Sequence, residues 1–484
     1  MTESQSPQKA VFTTGSTMRH VIVMTATSSI GLVSIFIVDL INLFYISLLG
    51  QQELAAAIGY SATIMFFSVS VCIGVSIATA AQVGKALGAN NQKHARQLAT
   101  SALIYLIIVT SLFAAVLYPS LPAILSLFGA RGETLDLALH FMHIVTPSIP
   151  LLGGGMCLGA LLRAKGDPKR AMYITLSGGL VALILDPILI IGLDLGLTGA
   201  AIATVCVRIC IVIVGLWGVI RVHDMLGGVK WEIVKSNLTP FLSIAAPAIA
   251  TQLATPVGNA YVTSAMAQFG DDAVAGWAII GRVIPVAFGV IFALSGAVGP
   301  ILSQNHGALE FERINQALKD ALTFTLIYCL VVWGILAIAN PWIIFLFDAS
   351  DLAATLVATF CLLVAASFLF NGFLFVANAA FNNLGFPLYA TLFNWGRATL
   401  GVIPFVAVGK TYGAEGVLIG WGLGAVVFGL GAVFVAFRQI RTLPDRKETG
   451  QSGKSFPPTS NSPFTSGKGA SFNIESTKYQ SDDD

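Results

Sequence analysis

The feature that most constrains this chain is a series of apolar stretches, each about 20 residues or longer, that runs from residue 17 to residue 437. One such stretch can cross the ~30 Å hydrocarbon core of a bilayer as an α-helix. The alternation typical of a membrane β-strand is nowhere sustained. The pattern predicts an all-α integral membrane protein with twelve transmembrane helices, near residues 17–48, 55–84, 97–118, 135–162, 170–192, 197–220, 238–268, 274–302, 316–339, 352–381, 387–409 and 414–437.

The composition agrees with a membrane protein and argues against several other classes. Charged residues make up 10% of the chain, against about 25% in soluble domains. The six cysteines lie inside apolar stretches without a CxxC spacing, so no metal site is predicted. No GxSxG, HExxH or Walker sequence occurs, so we expect neither an enzyme nor an ATP-driven pump, and we expect no cofactor.

The distribution of basic residues predicts the orientation in the membrane. Twenty-one of the 26 Lys and Arg residues fall on one side when the helices are placed as above, and the loops of the other side hold only Arg131 and Lys410. Loops rich in Lys and Arg stay in the cytoplasm. We therefore expect a multi-pass protein of the inner (plasma) membrane with both termini cytoplasmic.

The second half of the chain repeats the first at an offset of about 220 residues. The segment LLGQQELAAAIGYSATIMF (48–66) resembles QFGDDAVAGWAIIGRVIPV (268–286), and GLTGAAIA (196–203) resembles YGAEGVLI (412–419). We expect two pseudo-symmetric six-helix lobes related by an axis along the membrane normal, with a cavity between them. The predicted divisions are a cytoplasmic N-terminus (1–16), an N-lobe (17–221), a cytoplasmic linker (222–237), a C-lobe (238–441) and a disordered cytoplasmic tail (442–484).

Three segments resemble one transporter family. They are LGQQELAA (49–56), LLRAKGDPKRAM (161–172) and LDPILIIGLDLGLTGAAIAT (185–204). Together with the repeat, they make residues 1–440 similar to the multidrug and toxic compound extrusion (MATE) family. The resemblance implies export of cationic or amphipathic drugs and metabolites in exchange for Na⁺ or H⁺, and hence multidrug efflux and antibiotic resistance.

Two carboxylates lie well inside predicted helices, Asp39 in the first and Asp186 in the fifth. A carboxylate at bilayer depth costs about 2.5–3.5 kcal/mol, so it is expected to face a polar cavity or a cation and to serve function. The alternative to a functional role for Asp186 is a structural one, because Pro187 breaks the helical hydrogen-bond ladder there. The family's N-lobe cation site adds a Thr of the sixth helix, which the resemblance places at Thr204.

The coupling ion is predicted from a departure from the family pattern. The family has an Asn one turn before the Asp of the fifth helix, and this chain has Ala182 there. The C-lobe acids of the NorM-like branch are also missing, which places the chain closer to the DinF-like branch. We therefore favour H⁺ with Na⁺ as the alternative, and Asn42, near Asp39, could supply another oxygen ligand.

Polar residues of the second half are candidates for the C-lobe side of a substrate cavity. Asn and Gln also link helices for structural reasons. The candidates are Asn259, Tyr261, Asn371, Asn378, Asn382 and Arg397.

Two other functions compete with an exporter. A lipid-linked oligosaccharide flippase would share the two-lobe plan and would place several Arg or Lys in the cavity to hold a pyrophosphate. Only Arg208, Arg282 and Arg397 could do so here. An intramembrane enzyme is disfavoured by the missing catalytic motifs. The expected partners are small-molecule drugs and membrane lipid, without nucleic acid, and we expect a monomer.

Overall fold

The computed structural model describes residues 10–47, 52–349 and 351–444, and it describes side chains in these ranges except at 36–47, 52, 53 and 55. The part of the predicted tail from residue 445 onward lies outside the described residues. Within the described ranges the chain forms twelve helical segments and no strand. The first six are α1 (Thr17–Ser47), α2 (Gln52–Gly88), α3 (Gln92–Leu127), α4 (Gly132–Lys165), α5 (Pro168–Gly192) and α6 (Gly196–Val222).

The second half has the same number of helical segments. They are α7 (Trp231–Phe269), α8 (Asp271–Gly307), α9 (Phe311–Leu346), α10 (Asp351–Leu362 with Val364–Leu384), α11 (Pro387–Gly396 with Arg397–Gly401 and Ile403–Gly409) and α12 (Gly413–Arg441). Length and hydropathy give eleven candidate spans in the described ranges, because α11 and α12 count together as one span of 55 residues. Each of the twelve predicted stretches overlaps one helix, so the predicted all-α fold is confirmed.

The helices extend beyond the predicted apolar stretches. One clear difference is in α7, which begins at Trp231 rather than at 238, so the end of the predicted linker is helical. The reason is tertiary: Val234 and Phe241 pack in a buried cluster, and the carbonyl of Val234 accepts a hydrogen bond from the Tyr105 hydroxyl of α3. Hydropathy alone does not detect such a contact.

Helices from the two halves of the chain interlock. In the first half α1 packs on α5, α2 on α4, and α5 on α6; in the second, α10 and α11 pack on α12. Between the halves, α1 packs on α8, and α2 packs on both α7 and α8. By their contacts the helices as far as Thr442 form one compact unit. The predicted lobes (17–221 and 238–441) therefore remain a prediction from the sequence repeat.

Large apolar side chains cover the outside of the bundle. Leu112 of α3 is 65% exposed, Ile338 of α9 is 80% exposed and Phe434 of α12 is 70% exposed. A bilayer, unlike water, imposes no cost on such side chains. With eleven apolar candidate spans in the described residues, the chain is a multi-pass membrane protein.

Most of the basic residues that the structure describes lie at one end of the bundle, in its loops and in the adjoining ends of the helices. We call it the basic end: α1 begins there, α2 ends there, and it includes residues 89–91, 166–167, 223–230 and 308–310. At this end Asp167 caps α5 by accepting a hydrogen bond from the backbone N–H of Arg170 (3.1 Å), and it accepts others from the Arg170 side chain and from His223 Nε2 (2.8 Å). Burial alone would raise the pKa of Asp167, but these hydrogen bonds and the charge of Arg170 outweigh burial and hold the pKa below its ordinary value of 3.8.

Candidate functional site

Asp186 lies where α5 changes its helical form. Its side chain is buried, with 2% exposure. Pro187 follows it, and the next residues, Ile188–Gly192, form a π-helical turn. Proline removes a backbone donor from the helical ladder, and π-helical turns occur frequently at functional sites. The sequence LDPILIIG therefore gives a buried carboxylate beside an irregular turn.

The packing of α1 on α5 brings the two helices that carry acidic residues together. Gly31 of α1 lies against Thr175 of α5 so closely that an added Cβ would be 2.2 Å from the Thr175 hydroxyl oxygen. From this contact, the backbone of Asp39 is about 12 Å farther along α1 and that of Asp186 about 16 Å farther along α5, at 1.5 Å per residue. Both helices run from the basic end, so the two positions are at nearly the same depth. The side chains of Asp39 and Asn42 lie outside the described residues.

The α6 component of the predicted N-lobe site is also close to the irregular turn. Gly199 of α6 approaches the backbone of α5, where an added Cβ would be 2.5 Å from the carbonyl oxygen of Leu189. Thr204 follows on the same helix, is half-buried, and donates its hydroxyl hydrogen to the carbonyl of Ala200 (2.9 Å). Ala182, the departure from the family pattern, is buried. Thr204 is thus on a helix that packs directly against the one carrying Asp186.

In the second half, Arg397 is the centre of a buried polar cluster. It begins the π-helical turn Arg397–Gly401 of α11 and is 7% exposed. One terminal nitrogen donates to Asn371 Oδ1 of α10 (3.2 Å), and the other donates to Thr255 Oγ1 of α7 (3.1 Å). The guanidinium therefore joins three helices.

The predicted asparagines of α10 lie along one face of that helix, at spacings of seven and four residues. Asn371, Asn378 and Asn382 are all buried. Asn378 Oδ1 accepts a hydrogen bond from Asn394 Nδ2 of α11 (3.0 Å). Asn371 and Asn378 thus belong to the interface with α11, and Asn382 is one turn closer to the basic end.

The two predicted residues of α7 are separate from this cluster. Asn259 is exposed and is one turn beyond Thr255. Tyr261 is half-buried, and the Lys410 ammonium lies 5.5 Å from the centre of its ring. Of the six C-lobe candidates, Asn371, Asn378 and Arg397 therefore lie at the α10–α11 interface. Asn382 is closer to the basic end, and Asn259 and Tyr261 are closer to the other end of the bundle.

The basic end of the bundle is closed by direct contact between α2 and α8. A Cβ on Gly88 would lie 1.9 Å from the carbonyl oxygen of Gln304, and one on Gly307 would lie 1.9 Å from that of Lys85. Such distances are possible only between backbones that touch, and only glycine permits them. These two helices belong to different halves of the chain.

The segment before α1 adds a second layer to this closure. Gln304 Oε1 accepts a hydrogen bond from the backbone N–H of Phe12 (2.9 Å), and Gln304 Nε2 donates to the carbonyl of Ala164 at the end of α4 (2.7 Å). Asn305 Nδ2 donates to the carbonyl of Phe12 (3.1 Å), and Phe12 is 2% exposed. Phe12 and Ala164 of the first half and Gln304 of the second half therefore close the basic end together.

Sequence reasoning missed several of these residues. Thr255 and Asn394 were not selected, although they are the partners of Arg397 and Asn378. Asn394 carries a signal, because it is one turn before Arg397 on the same helix. Gln304 carries none, because it lies in the polar run SQNH (303–306), just beyond the predicted apolar stretch 274–302. Nothing in the sequence marks Thr255.

Comparison with known proteins decides the family. The sequence profile of the MatE family matches residues 25–188 and again residues 247–407, which together are more than half of the chain. The chain belongs to the MATE family of transporters. The two matches begin 222 residues apart (25 and 247), close to the repeat offset found in the sequence.

Individual relatives of this MATE transporter cover almost its whole helical region. A FAD transporter of Shewanella oneidensis is 27% identical over 86% of this chain and 93% of its own. The multidrug export protein MepA of Staphylococcus haemolyticus is 25% identical over 84% of this chain and 90% of its own. A crystal structure of a mutant of the Vibrio cholerae MATE transporter VcmN superposes with a TM-score of 0.84 at 26% identity, over 88% of this chain and 97% of that one. The protein is therefore a transporter and not an enzyme.

Proposed function

We propose that this MATE transporter exports small cationic or amphipathic drugs and metabolites by alternating access, and that protons entering through Asp39 and Asp186 drive substrate release. The orientation predicted from the basic residues makes the basic end cytoplasmic. The structure is then closed towards the cytoplasm.

The observation that carries this proposal is the contact between α1 and α5. It supports placing Asp39 and Asp186 at nearly the same depth, on two neighbouring helices of one half. Two carboxylates at the same depth can bind one cation or share one proton, because like charges in a low-dielectric site disfavour double ionisation. The coupling chemistry is thereby confined to the first half of the chain.

The closed basic end represents one of the two states that alternating access requires. With both carboxylates ionised, the transporter holds substrate while this end stays closed. Protonation removes the charge from α1 and α5, so α1 can repack and substrate leaves at the opposite end. Return to the other state then requires separation of α2 from α8, since their backbones are in contact.

The favoured coupling ion is H⁺. Na⁺ prefers several oxygen ligands, and Ala182 supplies none where the family pattern has an amide. The Thr204 hydroxyl already donates within its own helix, and its oxygen remains able to accept a bond or a cation. Asn42 is the second candidate oxygen donor.

The relatives suggest two candidate substrate classes. One relative is named a FAD transporter and another a multidrug export protein. Flavin dinucleotides and organic cations such as ethidium are therefore the substrates to test first. Neither name indicates a lipid-linked sugar, which makes the flippase alternative less favoured.

The test is ethidium transport into everted membrane vesicles energised first with a pH gradient and then with a Na⁺ gradient. We expect the pH gradient alone to support transport. Asp39→Asn and Asp186→Asn should each reduce it to the level of vesicles lacking the protein, because neither amide can release a proton. Membrane content is measured by immunoblot.

Asp194→Asn is the matched control. Asp194 is exposed in the turn after α5 and has φ +51°, a conformation that Asn also tolerates. This variant should transport like the parent protein. Full pH-driven transport by Asp39→Asn would contradict the carboxylate mechanism, and transport driven by Na⁺ alone would contradict H⁺ coupling.

A further inference from the structure

Arg397 is a buried charge whose two hydrogen-bond partners among the described residues, Asn371 and Thr255, are neutral. It is about 15 Å along α11 from the first residue of that helix, near the middle of a ~30 Å hydrocarbon core. A guanidinium remains protonated at neutral pH, and an uncompensated charge at this depth is costly. Among the residues whose side chains are described, no carboxylate forms an ion pair with it.

The hydrogen-bonding capacity of this guanidinium is only partly used. It has five N–H donors, and it makes two hydrogen bonds to described residues, one to Asn371 and one to Thr255. Its Nε is buried and has no hydrogen-bond partner among the described groups. Nε–H and an adjacent terminal N–H form the fork that binds two oxygens of one oxyanion.

The groups around the fork are also suited to an anion. The Thr255 hydroxyl and the Asn371 amide can each donate as well as accept. A phosphate offers more acceptor oxygens than a carboxylate does, so it can use these extra donors. The π-helical turn that begins at Arg397 widens α11 at this point, as such turns often do at functional sites.

A polar path leads to Arg397 along α7. Gly258 of α7 packs against Ala398 of α11, where an added Cβ would lie 3.4 Å from the Ala398 Cα. This contact places Thr255 beside Arg397. Asn259, four residues farther along, is on the same face and is exposed. An exposed amide inside a membrane helix indicates a water-filled cavity, because lipid would leave it without hydrogen bonds.

Arg208 of α6 provides a contrast in the first half. It is buried to a similar extent, with 5% exposure. One of its terminal nitrogens donates to both the Val145 carbonyl (3.0 Å) and the Ser148 hydroxyl (2.7 Å), where a 3₁₀-helical turn interrupts α4. This arginine holds the interruption of α4 in place, and its bonds are shorter than those of Arg397.

We propose that Arg397, with Asn371 and Thr255, forms a subsite that binds the phosphate of an amphipathic organic substrate. The proposal rests on the proposed function as a transporter. Within the proposed range of cationic and amphipathic substrates, it names amphipathic phosphate esters as those that this subsite selects.

The experiment uses the purified full-length protein in proteoliposomes with FAD, riboflavin and ethidium as probes. FAD and riboflavin share the flavin ring, but only FAD carries phosphate. We expect the parent protein to transport FAD in preference to riboflavin. Arg397→Gln should weaken FAD uptake about 10- to 150-fold, the effect of losing a hydrogen-bonded charge worth about 1.5–3 kcal/mol, and should weaken ethidium uptake far less, because ethidium carries no phosphate.

Two further variants separate binding from structure. Arg397→Lys keeps the charge without the fork, so it should restore FAD uptake only in part. Arg208→Gln should affect all three probes alike. A uniform loss in Arg397→Gln would overturn the proposal and make this arginine structural. Parent uptake of ethidium but not of FAD would overturn the subsite while leaving the transporter function intact, and no uptake of any probe would reject both.

Discussion

The contact between α2 and α8 at the basic end should be highly sensitive to one added methyl group. A Cβ on Gly88 would lie 1.9 Å from the carbonyl oxygen of Gln304, and the two backbones would have to separate by about 1 Å to relieve it. A Cβ on Gly59, in the same helix, meets nothing within 4 Å. Overpacking of this kind costs about 1–3 kcal/mol, and it acts only on the closed state.

This free-energy cost changes the relative populations of the closed and open states of the basic end. An energy of 1–3 kcal/mol changes the ratio of open to closed protein about 5- to 150-fold. Gly88→Ala should therefore open the basic end. Gly59→Ala should not, although it shares the gain of about 0.5–1 kcal/mol that alanine brings to a helix. At Gly84 the obstacle is the Ser303 hydroxyl, a side chain that can rotate, so Gly84→Ala should lie between the two.

The assay measures the distance between spin labels on the two halves. Lys93 and Glu312 are exposed near the starts of α3 and α9, so both can be replaced by cysteine and labelled. Cys206 and Cys210, the half-buried native cysteines, are first replaced by serine. Pulsed electron paramagnetic resonance in lipid nanodiscs then gives the distance distribution.

The expected result is a longer-distance population that increases from Gly59→Ala through Gly84→Ala to Gly88→Ala. Each variant is compared with the labelled parent protein under the same conditions. The same distribution for Gly88→Ala and Gly59→Ala would refute the reasoning, because it would mean that backbone contact at this crossing does not hold the closed state.

Two further predictions concern stability. Because hydrogen bonds hold the folded pKa of Asp167 below 3.8, its carboxylate stabilises the fold above that pH, and this contribution is lost as the pH falls through the lower folded pKa. The thermal unfolding temperature of Asp167→Asn in detergent should thus fall less below about pH 4 than that of the parent; equal pH profiles would contradict this. Asn394→Ala should cost about 1–3 kcal/mol, since it leaves the buried Asn378 Oδ1 without this donor. Asn378→Ala should cost less, since Asn394 Nδ2 keeps its hydrogen bond to the Ala390 carbonyl. The double variant should cost less than their sum, and strict additivity in unfolding measurements would argue against the bond.

Much of the architecture could be predicted from the sequence. The twelve apolar stretches and the family motifs led to the helical fold and to the MATE family, and both are confirmed. The ends of the helices were harder to predict from the sequence. The start of α7 at Trp231 depends on packing of Val234 and Phe241 against Tyr105, residues distant in sequence. Local hydropathy contains no information about such partners.

The candidate site was predictable to a smaller extent. Asp186 and Arg397 stand out because ionisable groups are rare inside membrane helices. Their surroundings could not be read in the same way. Thr255 is 142 positions from Arg397, and an isolated threonine in an apolar helix has many structural explanations. Only the approach of α7 to α11 identifies it as a partner.

By itself the sequence determined how many times the chain crosses the bilayer and which residues are too polar to face lipid. Both follow from the transfer free energy of each segment, which is a local property. The tertiary structure decided that Phe12, Gln304 and Ala164 close one end together, although Phe12 and Gln304 are 292 positions apart. It also decided that Arg397 Nε is buried without a hydrogen-bond partner among the groups that the structure describes. These facts depend on which helix faces touch, and that is set by the packing of the whole bundle.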